Sequence, residues 1–242
     1  SKVKDTLNRP KQLLLLLLHG LLPVAIIHLQ GDDGTALVMA VIFAAMLFTA
    51  GLSWKYILPV AAMIPPAAIV AWNFLLDDDK KNRILAVIDP TLVEAADSWQ
   101  QQRGLISIGN GGLWGNGVFM ETGQFRYVPE VYNDFIFTYI GETVGFIGCL
   151  AVLLVLAFLC IRILSNGLRA PDDLGKYICV GVFAMIGIQI IINIGMCLGM
   201  MPVIGVTLPF LSAGGTSTGT LYLAIGVVLS VYVHSGKDRL FG

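Results

Sequence analysis

Long runs of apolar residues, separated by short polar segments, dominate the pattern of this chain. A membrane-spanning helix needs about 20 mostly apolar residues. Six runs approach that length, at roughly 12–29, 35–51, 56–76, within 135–164, 177–199 and 217–234. No segment alternates apolar and polar residues over about ten positions, as a membrane β-strand would. The pattern therefore predicts an all-α polytopic membrane protein with about six transmembrane helices.

The composition supports this prediction. Hydrophobic residues make up 56% of the 242 residues and charged residues 13%, whereas a soluble domain has about 45–50% and about 25%. The net charge of −1 and the absence of a basic patch argue against a nucleic-acid partner. The cysteines lie in apolar stretches without a CxxC pair, which predicts buried thiols and neither disulfides nor a metal site. They are Cys149, Cys160, Cys179 and Cys197.

The basic residues predict the orientation of the spans, because cytoplasmic loops carry an excess of Lys and Arg. If the N-terminus of this chain is cytoplasmic, the C-terminus is too, and most basic residues fall inside. The inner set is Lys2, Lys4, Arg9, Lys11, Lys55, Arg162, Arg169, Lys176, Lys237 and Arg239. Residues 77–134 then form one long extracytoplasmic loop, and loops of such length are usually functional or disordered.

The predicted outer loop has two parts. Residues 77–98 are mixed and charged, which favours a surface helix. Residues 105–128 are rich in glycine, including Gly111 and Gly112, so their backbone can approach a ligand closely and its N–H groups can cradle an anion. The segment matches neither a Walker loop nor a Rossmann turn. A re-entrant or interfacial loop without a ligand remains an equal alternative.

Acidic residues follow the glycine-rich part, directly before an apolar run. Glu130 and Asp134 would share one face if the segment were helical, and Glu142 lies eight residues beyond Asp134. Acids at membrane depth are costly and are taken as functional by default. Burial and a second carboxylate would raise the pKa of Asp134 towards the range that a general base uses. The alternative is a helix N-terminus decorated with acids that favour the helix dipole.

Further polar residues lie inside or between the later spans. Gln189 and Asn193 share one face of the fifth span, where they would form hydrogen bonds between helices or contribute to a polar path. The segment 202–218 contains Pro and Gly residues that interrupt any helix. Its hydroxyl side chains are candidates to line a polar cavity, since irregular backbone at membrane depth needs protein or water around it. They are Ser212, Thr216, Ser217 and Thr218.

Five stretches, taken in order, resemble the motifs of one family. They are QGDDGTA at 30–36, SIGNGGLWGNG at 107–117, PEVYNDFIFTYIGETVGFIG at 129–148, NIGM at 193–196 and PVIGVTLPFLSAGGTS at 202–217. The chain thereby resembles the SEDS family (shape, elongation, division and sporulation), which includes RodA and FtsW, and its GGTS ending leans towards the RodA branch. The family has ten spans, so the resemblance implies a single membrane-embedded domain over 1–242 that holds the last six spans and lacks N-terminal ones.

The resemblance also implies an activity. Members are peptidoglycan glycosyltransferases that polymerise lipid II on the outer face of the bacterial cytoplasmic membrane. Asp134 matches the family's essential aspartate. The candidate substrate-binding residues are Glu130, Arg126, Arg103, Gly111, Gly112, Gln189, Asn193, Ser212, Thr216 and Ser217. No cofactor is certain, although Mg²⁺ or Mn²⁺ is a candidate at the pyrophosphate. The implied partners are a class B penicillin-binding protein, lipid II and membrane lipids.

Two other readings of the residues stay open. A transporter (flippase) of lipid-linked cell-wall precursors would use the polar spans and broken helices as a translocation path. A scaffold that only docks a partner would leave Asp134 dispensable.

Overall fold

The computed structural model of the chain describes residues 7–117 and 128–241, without the side chains of 95–97 and 236–241. All regular structure in these residues is helical, as predicted. The α-helices are α1 (Pro10–Leu29), α2 (Asp33–Thr49), α3 (Trp54–Phe74), α4 (Asp78–Ile88), α5 (Ala95–Gly111), α6 (Ile136–Arg169), α7 (Asp173–Cys197) and α8 (Gly215–Phe241). A short 3₁₀ helix, Pro90–Leu92, lies between α4 and α5.

Each of the six predicted spans corresponds to one helix. Within the described residues, five helices are long and apolar enough to cross a membrane by length and composition: α1, α3, α6, α7 and α8. The sixth, α2, has 17 residues and is therefore about 26 Å long, somewhat less than the roughly 30 Å of a hydrocarbon core. The other two helices, α4 and α5, lie in the predicted outer loop.

The chain forms two compact units. One comprises Ser1–Phe74, Cys160–Ile188 and Tyr222–Gly242, and the other Leu75–Leu159 and Gln189–Leu221. The single domain expected over 1–242 stays a prediction.

In the first unit, α1 and α2 form a hairpin joined by a tight turn. Gly31 has φ +86°, a conformation that glycine adopts without strain. The Asp32 carboxylate accepts a hydrogen bond from the Thr35 N–H (2.8 Å) and so caps α2, while His28 Nδ1 lies 2.6 Å from Asp33 Oδ1. The acidic pair in the QGDDGTA motif therefore has a local structural role.

The second unit is built around a hydrophobic cluster at the start of α6. Phe135 and Phe137 are its aromatic members, and both are buried. The rest of its buried core is Val128, Cys149, Leu156, Cys197 and Leu208. Asp134 directly precedes Phe135, so the packing of this ring anchors the backbone beside the carboxylate.

The glycine-rich segment differs from its prediction as a loop over 105–128. Its first seven residues form the end of α5, and the other described residues of the segment, 112–117 and Val128, are irregular. The reason is packing, which overrides the low helix propensity of glycine. A Cβ at Gly104 would touch Thr138 and Phe135, and one at Gly111 would overlap the carbonyl of Gly141 in α6. These glycines allow α5 to approach α6 closely.

The irregular residues 112–117 lie against an interruption in α6. Gly145 has φ 74° and ψ −168°, which breaks the helix and leaves neighbouring backbone groups without intrahelical partners. Residues 112–117 supply those partners. Four bonds join the segments: Phe146 N–H to Gly112 O (2.9 Å), Ile147 N–H to Leu113 O (3.2 Å), Asn116 N–H to Glu142 O (2.9 Å) and Gly117 N–H to Thr143 O (2.9 Å).

We predict that Gly111→Ala destabilises the protein because the added methyl group would overlap the Gly141 carbonyl. Overpacking of this kind typically costs about 1–3 kcal/mol. The four cysteines are buried, so a thiol-reactive dye can follow thermal unfolding in detergent, and the midpoint should fall.

Gly109→Ala is the matched control. Gly109 lies in the same helix, and a Cβ there meets nothing within 4 Å. This change should be neutral or stabilising by up to about 1 kcal/mol. Equal midpoints for both variants would contradict the close approach of α5 to α6.

Candidate functional site

Asp134 lies in a compact turn that ends where α6 begins. The turn covers residues 129–135 and is not α-helical, so the helical spacing considered for Glu130 and Asp134 does not apply. Glu130 has φ +52°, which is uncommon for a residue with a side chain. Its carbonyl accepts hydrogen bonds from the N–H groups of Asn133 (3.0 Å) and Phe135 (3.2 Å). These bonds fold the turn back on itself.

The Asp134 carboxyl group is partly buried, and burial raises its pKa above the usual value for aspartate. The nearby negative charge of Glu130 raises this pKa further. Both effects predicted from sequence are therefore present, although the turn brings the two acids together in a different way. Asn133 Nδ2 donates a hydrogen bond to Glu130 Oε2 (2.6 Å), which fixes the second carboxylate.

Asn193 holds the backbone of Asp134. This side chain is completely buried, and its Nδ2 donates to the carbonyls of Asp134 (2.8 Å) and Val206 (2.7 Å). Cys197 Sγ, one turn further along α7, lies 3.8 Å from the same Asp134 carbonyl. The predicted interior position of Asn193 is thus correct. Its amide bonds to backbone groups of two irregular segments, which lets the Asp134 side chain project away from these bonds.

Ser212 makes a second connection between the same two segments. Its hydroxyl donates to the Asn133 carbonyl (2.6 Å) and accepts from the Leu208 N–H (2.8 Å). The Ala213 N–H also donates to the Tyr132 carbonyl (2.8 Å). The interruption predicted between the fifth and sixth spans is present over residues 198–214, and it is packed against the turn that carries Asp134.

The other hydroxyl and amide candidates occupy different surroundings. Thr216 is exposed in the first turn of α8, and Ser217 is half-buried beside Gly214. Gln189 Oε1 is buried and has no hydrogen-bond partner among the described residues. Gly111 packs on α6, and Gly112 offers its carbonyl to Phe146.

The candidate arginine side chains also have different surroundings. The Arg103 guanidinium lies 5.1 Å from the ring centre of Trp99, over its face. Arg126 lies outside the described residues. Arg83, which the sequence analysis placed in a surface helix, donates from Nη1 to the Val203 carbonyl (3.0 Å). Further along the segment of Val203, a Cβ placed at Gly205 would lie 3.5 Å from Asp134 Oδ2, and the Val206 carbonyl accepts from Asn193.

Two glutamines of α5 were not predicted as site residues. Gln101 is buried, and its Nε2 donates to the carbonyls of Met196 (2.9 Å) and Met201 (2.8 Å). Gln100 Nε2 donates to the Pro129 carbonyl (2.9 Å) at the start of the Asp134 turn. The run of three glutamines at 100–102 is the signal that could have indicated them, because amides supply donors for irregular backbone.

Glu142 is a buried acid of the first part of α6. It is 4% exposed and bonded to the hydroxyl of Ser107, which is completely buried in α5. This bond joins α5 to α6 near the docked segment 112–117. Within the part of the chain that the structure describes, no group of three or more His, Cys, Asp or Glu side chains could hold a metal ion.

Known proteins resemble this chain over almost its whole length. The sequence profile of the cell cycle protein family of FtsW, RodA and SpoVE matches residues 1–237. The peptidoglycan glycosyltransferase MrdB of Escherichia coli K12 is 33% identical over 218 residues, which is 88% of this chain and 58% of MrdB. Stage V sporulation protein E of Bacillus subtilis is 37% identical over 210 residues, 87% of this chain and 57% of that protein.

Two solved structures share the fold. A chain of a peptidoglycan synthase complex aligns with a TM-score of 0.77 and 26% identity, over 94% of this chain and 63% of that one. The rod shape determining protein RodA of Thermus thermophilus, an aspartate-to-alanine mutant, aligns with a TM-score of 0.61 and 25% identity, over 95% of this chain and 61% of that one.

This chain thus spans somewhat under two thirds of the length of these relatives. The matched residues include the turn with Asp134 and the irregular segment 198–214 that packs against it. The chain belongs to the FtsW, RodA and SpoVE family of multi-pass membrane proteins.

Proposed function

We propose that this chain carries the catalytic site of a peptidoglycan glycosyltransferase that polymerises lipid II. The observation that carries the proposal is the Asp134 carboxyl group, which combines a raised pKa with a backbone fixed by Asn193. Two relatives support it by their names: MrdB is a peptidoglycan glycosyltransferase, and FtsW of Geobacter metallireducens, 32% identical over 208 residues, is a probable one.

Asp134 acts as the general base in this proposal. The 4-hydroxyl of the acceptor GlcNAc attacks the anomeric carbon of the donor MurNAc, and its proton passes to the Asp134 carboxylate. The new glycosidic C–O bond forms as the bond to undecaprenyl pyrophosphate breaks. Positioned general bases typically contribute 10²–10⁴-fold to the rate. A raised pKa suits Asp134 to this role because a base works best when its pKa lies near the operating pH.

The hydrogen bonds around Asp134 favour a catalytic role for its side chain. Asn193, Cys197 and the neighbouring Ser212 all bond to backbone carbonyls of the turn. Within the described residues, the Asp134 carboxylate itself accepts no hydrogen bond, and it is therefore available to a substrate hydroxyl. Because the Asn193 amide is already bonded to two carbonyls, it is poorly suited to line the translocation path of a transporter.

The remaining expectations belong to the same proposal. The Asp134 turn faces the extracytoplasmic side, with both ends of the chain in the cytoplasm, and the partner is a class B penicillin-binding protein. No cofactor is certain, and Mg²⁺ or Mn²⁺ is a candidate at the pyrophosphate of the substrate, since Mg²⁺ is usually bound by substrate phosphates with few protein ligands. Such an ion would neutralise charge on the leaving pyrophosphate. Chelation by EDTA followed by readdition of Mg²⁺ tests this expectation.

For the proposed function, the first prediction concerns Asp134→Asn. Removal of the base should lower polymerisation of lipid II by about 10²–10⁴-fold. The assay combines the protein with a class B penicillin-binding protein and lipid II in liposomes, and resolves glycan strands on a gel. Asp79→Asn removes an exposed acid of α4 and should leave polymerisation unchanged.

The fold should survive this change. A raised pKa means that ionisation of Asp134 costs more in the folded than in the unfolded chain, so its stabilising contribution at low pH is lost as the pH rises through the folded-state pKa. A neutral Asn removes that cost, and the unfolding midpoint at pH 7–8 should be unchanged or higher. Full polymerisation by Asp134→Asn would refute the catalytic role and favour the scaffold. If the wild type flips labelled lipid II but forms no polymer, the transporter is favoured.

A second prediction concerns pH. Activity should fall as the pH drops through the pKa of Asp134, because the base must be deprotonated. Glu130→Gln removes a negative charge that raises this pKa, while the Gln oxygen can still accept from Asn133. The acidic limb of kcat/KM should therefore move to lower pH. Glu94→Gln, an exposed control, should leave the profile in place, and an unmoved limb in Glu130→Gln would contradict the coupling.

A third prediction concerns Asn193→Ala. The change removes the amide donor from two carbonyls, those of Asp134 and Val206, and each group left unsatisfied costs about 1–3 kcal/mol. Both the unfolding midpoint and the polymerisation rate per folded molecule should fall. Asn73→Ala, which removes a bond from an exposed Asn of α3, should change neither. A wild-type rate per folded molecule in Asn193→Ala would show that the anchor does not position Asp134.

A further inference from the structure

We propose that Arg83 binds the pyrophosphate of the lipid-linked donor and stabilises it as the leaving group. This inference rests on the proposed function and adds a residue to it. Arg83 lies on α4 and is exposed, and its Nη1 donates to the Val203 carbonyl at 3.0 Å. A guanidinium carries five N–H donors, so this bond leaves others that can reach a ligand.

The Val203 bond brings Arg83 close to Asp134. Two residues after Val203, a Cβ placed at Gly205 would lie 3.5 Å from Asp134 Oδ2. Two residues of extended chain span at most about 7 Å, and the bonds and contacts at the two ends add about 12 Å, so the guanidinium and the carboxylate lie within roughly 20 Å of each other. The segment 203–206 therefore accepts a hydrogen bond from Arg83 at Val203 and passes near the Asp134 carboxylate at Gly205.

This spacing suits the proposed reaction. The acceptor oxygen beside Asp134 must approach the anomeric carbon to about 3–3.5 Å, and the two phosphates extend from that carbon on the opposite side. A cation that binds the pyrophosphate should therefore lie beyond the sugar and not beside the base. Arg83 bonds to Val203 and not to the part of the segment beside Asp134, which agrees with this requirement, and its planar fork can bind two phosphate oxygens at once.

Other candidates among the described residues have contacts of their own. The Arg103 guanidinium lies over the Trp99 ring. In the glycine-rich segment, four N–H groups that could cradle an anion donate instead to carbonyls of the chain. They belong to Gly112, Gly115, Asn116 and Gly117.

The step needs no proton from Arg83. When the bond between the anomeric carbon and the phosphate oxygen breaks, its electron pair stays on the pyrophosphate, whose negative charge increases. The guanidinium remains protonated and strengthens its hydrogen bonds to those oxygens. Interactions that strengthen as charge develops lower the barrier.

The test measures ligand preference. The protein is reconstituted in nanodiscs of zwitterionic phosphatidylcholine, and the affinities for undecaprenyl pyrophosphate and for undecaprenol are compared. Arg83→Gln should lower the preference for the pyrophosphate by about 10-fold to 100-fold, as expected for a lost charged hydrogen bond. Arg83→Lys should keep part of it. Lys81→Gln is the matched control, because Lys81 is a cation of the same helix that pairs with Asp78, and it should keep all of it.

The ratio of the two affinities separates anion binding from a structural role. If Arg83→Gln only loosened the segment 203–206, the affinities for both ligands would fall together and their ratio would not change. An unchanged ratio in Arg83→Gln, with a wild type that prefers the pyrophosphate, would overturn this inference. Loss of the preference in Arg103→Gln alone would assign the role to Arg103. The proposed function is judged separately, by lipid II polymerisation with the wild type and Asp134→Asn.

Discussion

The structure depends on finding hydrogen-bond partners for backbone that is not helical in a chain this apolar. Within the lipid such groups cannot bond to water, and each one left unpaired costs several kcal/mol. Among the described residues of the second unit, three non-helical stretches adjoin or interrupt the spans: the turn 129–135, the break at Gly145 and the segment 198–214. Each is paired by other parts of the chain, either by backbone from residues 112–117 or by a few buried amide and hydroxyl side chains.

The candidate site follows from this pairing. Asn193, Ser212 and Gln101 each join two backbone groups, and together they fix the turn and the segment opposite it. Because these side chains bond to carbonyls and N–H groups, they hold the Asp134 backbone in place, and its carboxylate accepts no hydrogen bond from the described residues. Burial and the charge of Glu130 then raise its pKa. General-base chemistry requires this combination of a backbone fixed by hydrogen bonds and a carboxylate that can still accept a proton.

The sequence predicted the chemistry of single residues better than their partners. The position of Asp134 ahead of an apolar run indicated a costly acid, and the interior face of Asn193 followed from its place in a span. The helical spacing of Glu130 and Asp134 was not borne out, since Glu130 adopts φ +52° and the segment folds as a turn. Arg83 was interpreted as a surface residue because nothing in residues 77–98 shows that α4 reaches Val203, 120 residues away.

The sequence by itself determined the helical membrane architecture, the positions of the spans, the break between the fifth and sixth spans and the family. These features depend on local composition and on motif order, which are visible along one chain. Only the tertiary structure decided that the glycines at 104 and 111 belong to a helix, that residues 112–117 complete the break in α6, and which side chains surround Asp134. Those outcomes depend on contacts between residues far apart in sequence, where the close approach of two backbones outweighs the local preference of glycine for loops.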